Sequence, residues 1–244
     1  MAILQIERET YTTTARISRP ETMNAINFDL MDELEALLDE IEKDKEIRLF
    51  ILTGSEKSFI SGGDLREFHQ IEDTEGAKKM SAKMISILSR IEQLNCWTLA
   101  AINGQTYGGG WEMMLYFDFR IASEAIKIGF TQGNFYLPPG WGGIHKLCAA
   151  VGREQALYWL ATSKVVDAST ALAHGLVQEV VPEFAFDERV QTLKKELTAN
   201  DRAYIKYIKS KNLKSPEDEI DPFTQFWVSE EHLKRVDEFL SRKK

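Results

Sequence analysis

The sequence predicts an α/β fold, on three observations. Up to residue 182, stretches with strand patterning alternate with stretches whose apolar residues recur at helical spacing. Residues 49–53 (Leu-Phe-Ile-Leu-Thr) form a short apolar run ending in Gly54, the signature of a strand buried in a sheet covered on both faces. From Phe184 onward strand patterns cease, and the chain is helical and highly charged.

Taken in order, residues 3–6 and 12–18 alternate well enough to form a hairpin across a polar break. Residues 27–46 read as a helix, because Leu30, Met31, Leu34, Leu37, Leu38 and Ile41 fall on one face and acids on the other. After the strand at 49–53, residues 77–94 form a second amphipathic helix and residues 98–102 a second buried strand. The turn Asn103-Gly104 follows, and Gly108-Gly109-Gly110 opens an apolar helix. Residues 119–122 and 126–130 read as further strands. The expected organisation is an α/β core over residues 1–183, carrying the site, and a helical appendage over 184–244 that is not an independent domain.

Composition narrows the function. Over 244 residues, 43% hydrophobic content is enough for a sizeable core. With 38 acidic against 30 basic side chains the net charge is -8, which argues against nucleic acid as a partner. No apolar run approaches the roughly 20 residues of a membrane span, and the charged start lacks the apolar stretch of a signal peptide. Two cysteines, Cys96 and Cys148, exclude a disulfide framework and fit a reducing cytoplasm. His69, His145, His174 and His232 are scattered, so no metal is expected.

Two glycine-rich corners are where chemistry can sit. Residues 59–66 (Phe-Ile-Ser-Gly-Gly-Asp-Leu-Arg) follow the first buried strand, and residues 104–112 (Gly-Gln-Thr-Tyr-Gly-Gly-Gly-Trp-Glu) follow the second. Glycines let a ligand approach main-chain N–H groups, and at a helix start those groups have no intrahelical partner. Two such corners facing each other make an oxyanion hole, whereas a tight turn explains either one alone. Neither matches a dinucleotide fingerprint or a phosphate loop, and without a GxSxG elbow Ser61 is not read as a nucleophile.

The pair in order, "FISGGDLREF" and then "AINGQTYGGGWEMMLYFDFRIAS", resembles the enoyl-CoA hydratase/isomerase (crotonase) superfamily. "ISRPETMNAIN", "PGWGG" (residues 139–143) and "VVDASTALAHGLVQEVVP" sit in the family's order, so the likeness spans essentially the whole chain. The resemblance implies a crotonase-like spiral of ββα units with a helical C-terminal region, assembled as a homotrimer or hexamer. The exposed apolar face expected at Phe223, Phe226 and Trp227 suits that assembly, and the tail is expected to serve oligomerisation and pocket covering. It also implies chemistry on an acyl-CoA thioester, with coenzyme A as part of the substrate, no other cofactor, and a place in fatty acid metabolism.

By motif position, the N–H groups of Gly63 and Gly109 would grip the thioester oxygen. Ala25, Ser61, Gly62, Asp64, Leu65, Arg66 and Gly108 would bind substrate and CoA. Arg66 falls where the family often has a basic residue near the adenine, although a solvated helix-face cation reads equally well. Glu112 matches the first of the family's two catalytic glutamates; the alternatives are a helix-start acid or a partner for Arg120. Counting back from Pro139-Gly140, the second glutamate position falls on Gln132, which can position water but cannot exchange a proton at neutral pH. Asn134 is the nearest polar alternative and restores no acid.

Other residues have plainer readings. Asp64 reads as a helix cap, Asp118 as a turn or buried acceptor, and His145 as a satisfied surface or core histidine. Tyr107 and Tyr136 pack near glycine loops, and Trp111 and Trp141 form walls of the acyl pocket or core.

Three functions follow. Hydration of a 2-enoyl-CoA with one catalytic glutamate comes first. Decarboxylation of a methylmalonyl- or ethylmalonyl-type CoA thioester is second, since loss of CO₂ itself generates the enolate and "GGGxE…DFR…PxWGG" also resembles ethylmalonyl-CoA decarboxylase. Isomerisation is weakened by Gln132, because single-acid isomerases of the family tend to keep the second position. A different class, a non-catalytic acyl-CoA binder, is motivated by the missing acid.

Overall fold

The computed structural model describes residues 3–210 and 215–242. The chain opens as the expected hairpin: β1 (Leu4–Arg8) pairs antiparallel with β2 (Thr12–Ile17). Helix α1 (Phe28–Lys43) starts where Asn27 accepts a hydrogen bond from the Leu30 N–H, and it buries the six predicted apolar residues.

From there the chain winds as a spiral. β3 (Leu49–Gly54) enters a six-stranded sheet and β4 (Ser58–Ile60) a four-stranded one, followed by α2 (Leu65–Phe68) and α3 (Thr74–Gln93). β5 (Trp97–Ile102), β6 (Gln105–Tyr107) and α4 (Gly109–Met114) repeat the pattern. So do β7 (Phe119–Ser123), β8 (Lys127–Gly129), α5 (Gly143–Val151) and α6 (Arg153–Ala161). β9 (Val165–Asp167), α7 (Ala168–Ala173), β10 (Glu179–Val181) and α8 (Phe186–Leu197) complete it. The large sheet runs β1-β2-β3-β5-β7-β10, parallel beyond the hairpin; the small one runs β4-β6-β8-β9, with β9 antiparallel. This is the α/β layout expected from the patterning, arranged as the spiral of ββα turns that the family resemblance implies.

The apolar run of β3 has the expected cause. Phe50 and Leu52 face the main core, while Leu49 and Ile51 face a second cluster with Leu99, Ala101 and Ile121. Val190, Leu193 and Leu197 of α8 close that second face. For this reason the expected division at residue 183 lies inside a packed body: one compact unit ends at Arg202 and the other begins at Ala203. Of the three-residue strands, β8 falls within the strand expected at 126–130, whereas β4, β6, β9 and β10 are too short to display alternation and have no counterpart in the sequence reading. Helix α3 starts three residues earlier than expected, at Thr74, because Asp73 accepts from the Gly76 N–H and caps it. Within the second unit, helices Ile220–Trp227 and Glu230–Ser241 leave Phe223, Trp227, Leu233, Phe239 and Leu240 each more than half exposed. Among the described residues no helix is long and apolar enough to cross a membrane, and no cluster of His, Cys, Asp or Glu could hold a metal ion.

Candidate active site

The first glycine corner leaves the end of β4 through Ser61 and Gly62, whose φ of +117° favours glycine. Ile26 bridges it like a parallel strand: its N–H donates to Gly62 O at 2.8 Å, and its carbonyl accepts from the Asp64 N–H at 2.7 Å. Such a bridge turns the N–H of the intervening Gly63 to the opposite side, and among the described residues that N–H has no protein acceptor. A partly buried ion pair fixes the corner. Asp64 accepts from the Arg19 guanidinium at 2.8 Å and from the Arg66 N–H at 3.1 Å, while Arg19 also donates to Ala25 O. Burial would raise the Asp64 pKa, but Arg19 and the N–H groups of Arg66 and Glu67 outweigh it and hold the carboxyl below its usual range. Asn24, fully buried, ties the preceding loop to Ser55 O and Ser58 O.

The second corner passes through β6 and Gly108, at φ +50°, into α4. Gly109 is the first helical residue, so its N–H lacks an intrahelical partner. The two corners lie back to back: a Cβ built on Gly62 would stand 3.5 Å from the Gly109 nitrogen, and one on Gly108 would stand 3.5 Å from the Gly62 Cα. Helix α4 can sit this close to β4 because Gly110 has no side chain; a Cβ there would meet Ile60 O at 2.2 Å.

One turn into α4, Glu112 points into the protein and is 2% exposed. Its Oε2 accepts from the Trp141 N–H at 2.8 Å and the Gly143 N–H at 2.9 Å. Its Oε1 accepts from Gln132 Nε2 at 3.1 Å and, at a longer 3.3 Å, from the Gly140 N–H. Gln132 in turn accepts from Trp111 Nε1 at 3.0 Å, which fixes the orientation of its amide. Glu112 therefore anchors the Gly140–Gly143 loop and the start of α5, one turn along the helix that Gly109 opens. Burial pushes its pKa up; the N–H groups of Trp141, Gly143 and Gly140 and the Gln132 amide pull it down without cancelling the rise.

The loop that Glu112 holds places the Trp141 indole over both corners. A Cβ on Gly109 would be 1.9 Å from Trp141 Cζ3, and one on Gly63 would be 3.7 Å from its Cη2. The Trp141 carbonyl accepts from the Tyr116 hydroxyl at 2.9 Å, so the residue is held by its N–H and its C=O together. On the other side, the Phe68 ring stands 2.7 Å from a Cβ on Gly63.

Most of the predicted site residues meet here, with corrections. Gly62 packs against Gly108 and Gly109, Gly63 and Gly109 share the Trp141 indole as a neighbour, Glu112 and Gln132 are hydrogen-bonded, and Ala25 is buried beside Arg19. The Ser61 hydroxyl donates to Thr22 O, and the Asp64 carboxylate is engaged by Arg19 and Arg66, so neither side chain is presented to a ligand. Asp64 is the helix cap that the sequence reading describes. Leu65 and Arg66 are exposed on α2. Glu112 makes no pair with Arg120, which donates to Leu176 O and Phe117 O instead. Asp118 is a half-buried acceptor that takes bonds from the Thr98 N–H and hydroxyl. Tyr136, Asn134 and His145 lie on the surface. Sequence reasoning missed Arg19, Tyr116 and Phe68; the ion pair of Arg19 spans 45 positions and leaves no periodic signal.

Comparison with known proteins places this geometry. Residues 9–225 match the family model "Enoyl-CoA hydratase/isomerase". The chain is similar to the short-chain-enoyl-CoA hydratase of Clostridium acetobutylicum, 32% identical over 205 residues, covering 84% of this chain and 78% of that protein. It is 34% identical over 177 residues to the crotonyl-CoA hydratase of Syntrophomonas wolfei, covering 72% and 68%. A solved structure of an enoyl-CoA hydratase from Bacillus anthracis superposes with a TM-score of 0.90 at 26% identity, over 98% of this chain and 96% of that one.

Proposed function

The chain belongs to the enoyl-CoA hydratase/isomerase family, and from that premise we propose that it is a hydratase-like lyase. It adds water across the double bond of a 2-enoyl-CoA thioester, with Glu112 as its one proton carrier. The observation that carries this reading is the pairing at the corners: a single carboxylate, Glu112, with the neutral amide of Gln132 where a second acid would stand.

The chemistry balances with one acid. Ionised Glu112 takes a proton from water while the water oxygen bonds to the β-carbon. The π electrons move to the thioester oxygen, where the Gly63 and Gly109 N–H groups receive the charge; each such donor is worth about 3–4 kcal/mol. The enolate then collapses, and Glu112 returns the same proton to the α-carbon. Oε1 is the oxygen suited to this task. Its bond from the Gly140 N–H is the longest of its set at 3.3 Å, so it is the one most readily exchanged for a bond to water. Oε2, with bonds of 2.8 and 2.9 Å, stays with the loop.

Decarboxylation of a methylmalonyl- or ethylmalonyl-type CoA thioester is the second reading, favoured by the four N–H donors that engage Glu112. Loss of CO₂ leaves its bonding pair on the enolate without any base, and only the final proton to the α-carbon is needed. CoA enters either reaction as part of the substrate, with no further cofactor. The exposed aromatic face of the second unit serves assembly into a homotrimer or hexamer. Parallel turnover of crotonyl-CoA, methylmalonyl-CoA and ethylmalonyl-CoA, with products identified by mass, is the test. Hydration of crotonyl-CoA supports the first reading, and CO₂ release without hydration replaces it with the second. Tight acyl-CoA binding with no turnover of any of the three would make the protein a non-catalytic binder.

A further inference from the structure

We infer that Trp141 is a specificity-determining residue that confines the enzyme to acyl-CoA thioesters with short acyl groups; this rests on the thioester reading of the two corners. The indole lies against both glycines whose N–H groups would hold the thioester oxygen: 1.9 Å separates its Cζ3 from a Cβ on Gly109, and 3.7 Å its Cη2 from a Cβ on Gly63. A carbonyl gripped there sets its acyl carbons directly beside the ring.

The ring cannot retreat by moving its backbone. The Trp141 N–H is held by Glu112 at 2.8 Å and the carbonyl by Tyr116 at 2.9 Å. Gly142 follows at φ +84°, where a Cβ would meet the Tyr116 hydroxyl at 2.2 Å, and the Gly143 N–H returns to Glu112. The Lys146 ammonium sits 4.4 Å from the Tyr116 ring centroid and pairs with Glu92, which braces the tyrosine. With Trp141 itself only 5% exposed, the indole is packed on its other sides as well. Each methylene that must overlap a clamped ring is rejected, and a single misfitting methylene in an apolar pocket lowers kcat/KM by roughly 10–200-fold.

The test measures kcat/KM for crotonyl-CoA and 2-decenoyl-CoA with the wild type, Trp141→Phe and Trp141→Ala. Wild type should favour crotonyl-CoA by about 100-fold. Trp141→Ala should narrow that ratio at least about tenfold through a gain on the longer substrate, with Trp141→Phe between them. Equal turnover of both substrates by the wild type, or an unchanged ratio in Trp141→Ala, overturns the inference and leaves the hydratase reading standing. Affinities of butyryl-CoA and decanoyl-CoA for the wild type, by calorimetry, read the size limit without chemistry and without a variant that must fold. A strong preference for butyryl-CoA supports the inference even where hydration fails, and equal affinity overturns it.

Discussion

The two glycine corners present the same kind of donor but are held in place by different physics. The Gly63 corner is fixed by the Arg19–Asp64 ion pair and by the Ile26 bridge, groups that take no part in the proposed reaction. The Gly109 corner is roofed by Trp141, whose loop hangs on Glu112, the residue that must also carry the proton. Positioning and chemistry are thus separate in the first corner and joined in the second. A change that touches Glu112 disturbs both at once, whereas a change to Arg19 loosens geometry alone.

The largest expected effect comes from the joined corner. Glu112→Gln should lower turnover by about 10²–10⁴-fold. It should also lower stability by about 1–3 kcal/mol, because an amide NH₂ set against the Trp141 or Gly143 N–H leaves buried donors unpaired. Steady-state kinetics with a denaturant melt reads both, and a variant as stable as wild type would separate the two roles assigned to Glu112. Arg19→Ala should cost about 1–3 kcal/mol of stability, because the Asp64 carboxylate keeps its backbone N–H donors but loses its charged partner. A smaller contrast distinguishes the glycines. Gly109→Ala drives a methyl into a clamped indole and should cost about 1–3 kcal/mol, whereas Gly63→Ala meets the Phe68 ring on a four-residue helix that can turn aside. Equal losses in the two melts would mean that Trp141 is not held as described.

Acid titration should separate the corners by sign. Asp64 has a depressed pKa, so the stability it contributes is present above the ordinary aspartate value and is lost as pH falls through the lower, folded one. Glu112 has a raised pKa, so the folded protein holds its proton more tightly than the unfolded chain does. Its contribution is most favourable below the ordinary glutamate value and declines as pH rises through the raised one. Melts of the wild type and Asp64→Asn from neutral to strongly acidic pH should therefore converge at the acid end.

Much of this was legible in the sequence, for physical reasons. Helix α1 displayed its six core residues at helical spacing, and β3 announced a sheet covered on both faces. The corners were visible because glycine is required where main chain must approach main chain, as at Gly62 and Gly108. What escaped was long-range. The Arg19–Asp64 pair, the Tyr116–Trp141 bond and the role of Glu112 as an anchor for a loop about 30 residues away depend on how the spiral closes. The boundary expected at 183 gave way for the same reason: α8 looks like charged tail until its apolar stripe meets Leu49, Ile51 and Leu99.

The central claim, that one glutamate carries the proton, is tested most directly by the pH dependence of kcat/KM for crotonyl-CoA in the wild type, Glu112→Gln and Gln132→Glu. A lone base predicts a single rising limb through the raised Glu112 pKa, its loss in Glu112→Gln, and a new falling limb once Gln132→Glu supplies a second acid. A bell-shaped profile in the wild type, or undiminished hydration by Glu112→Gln, would contradict it.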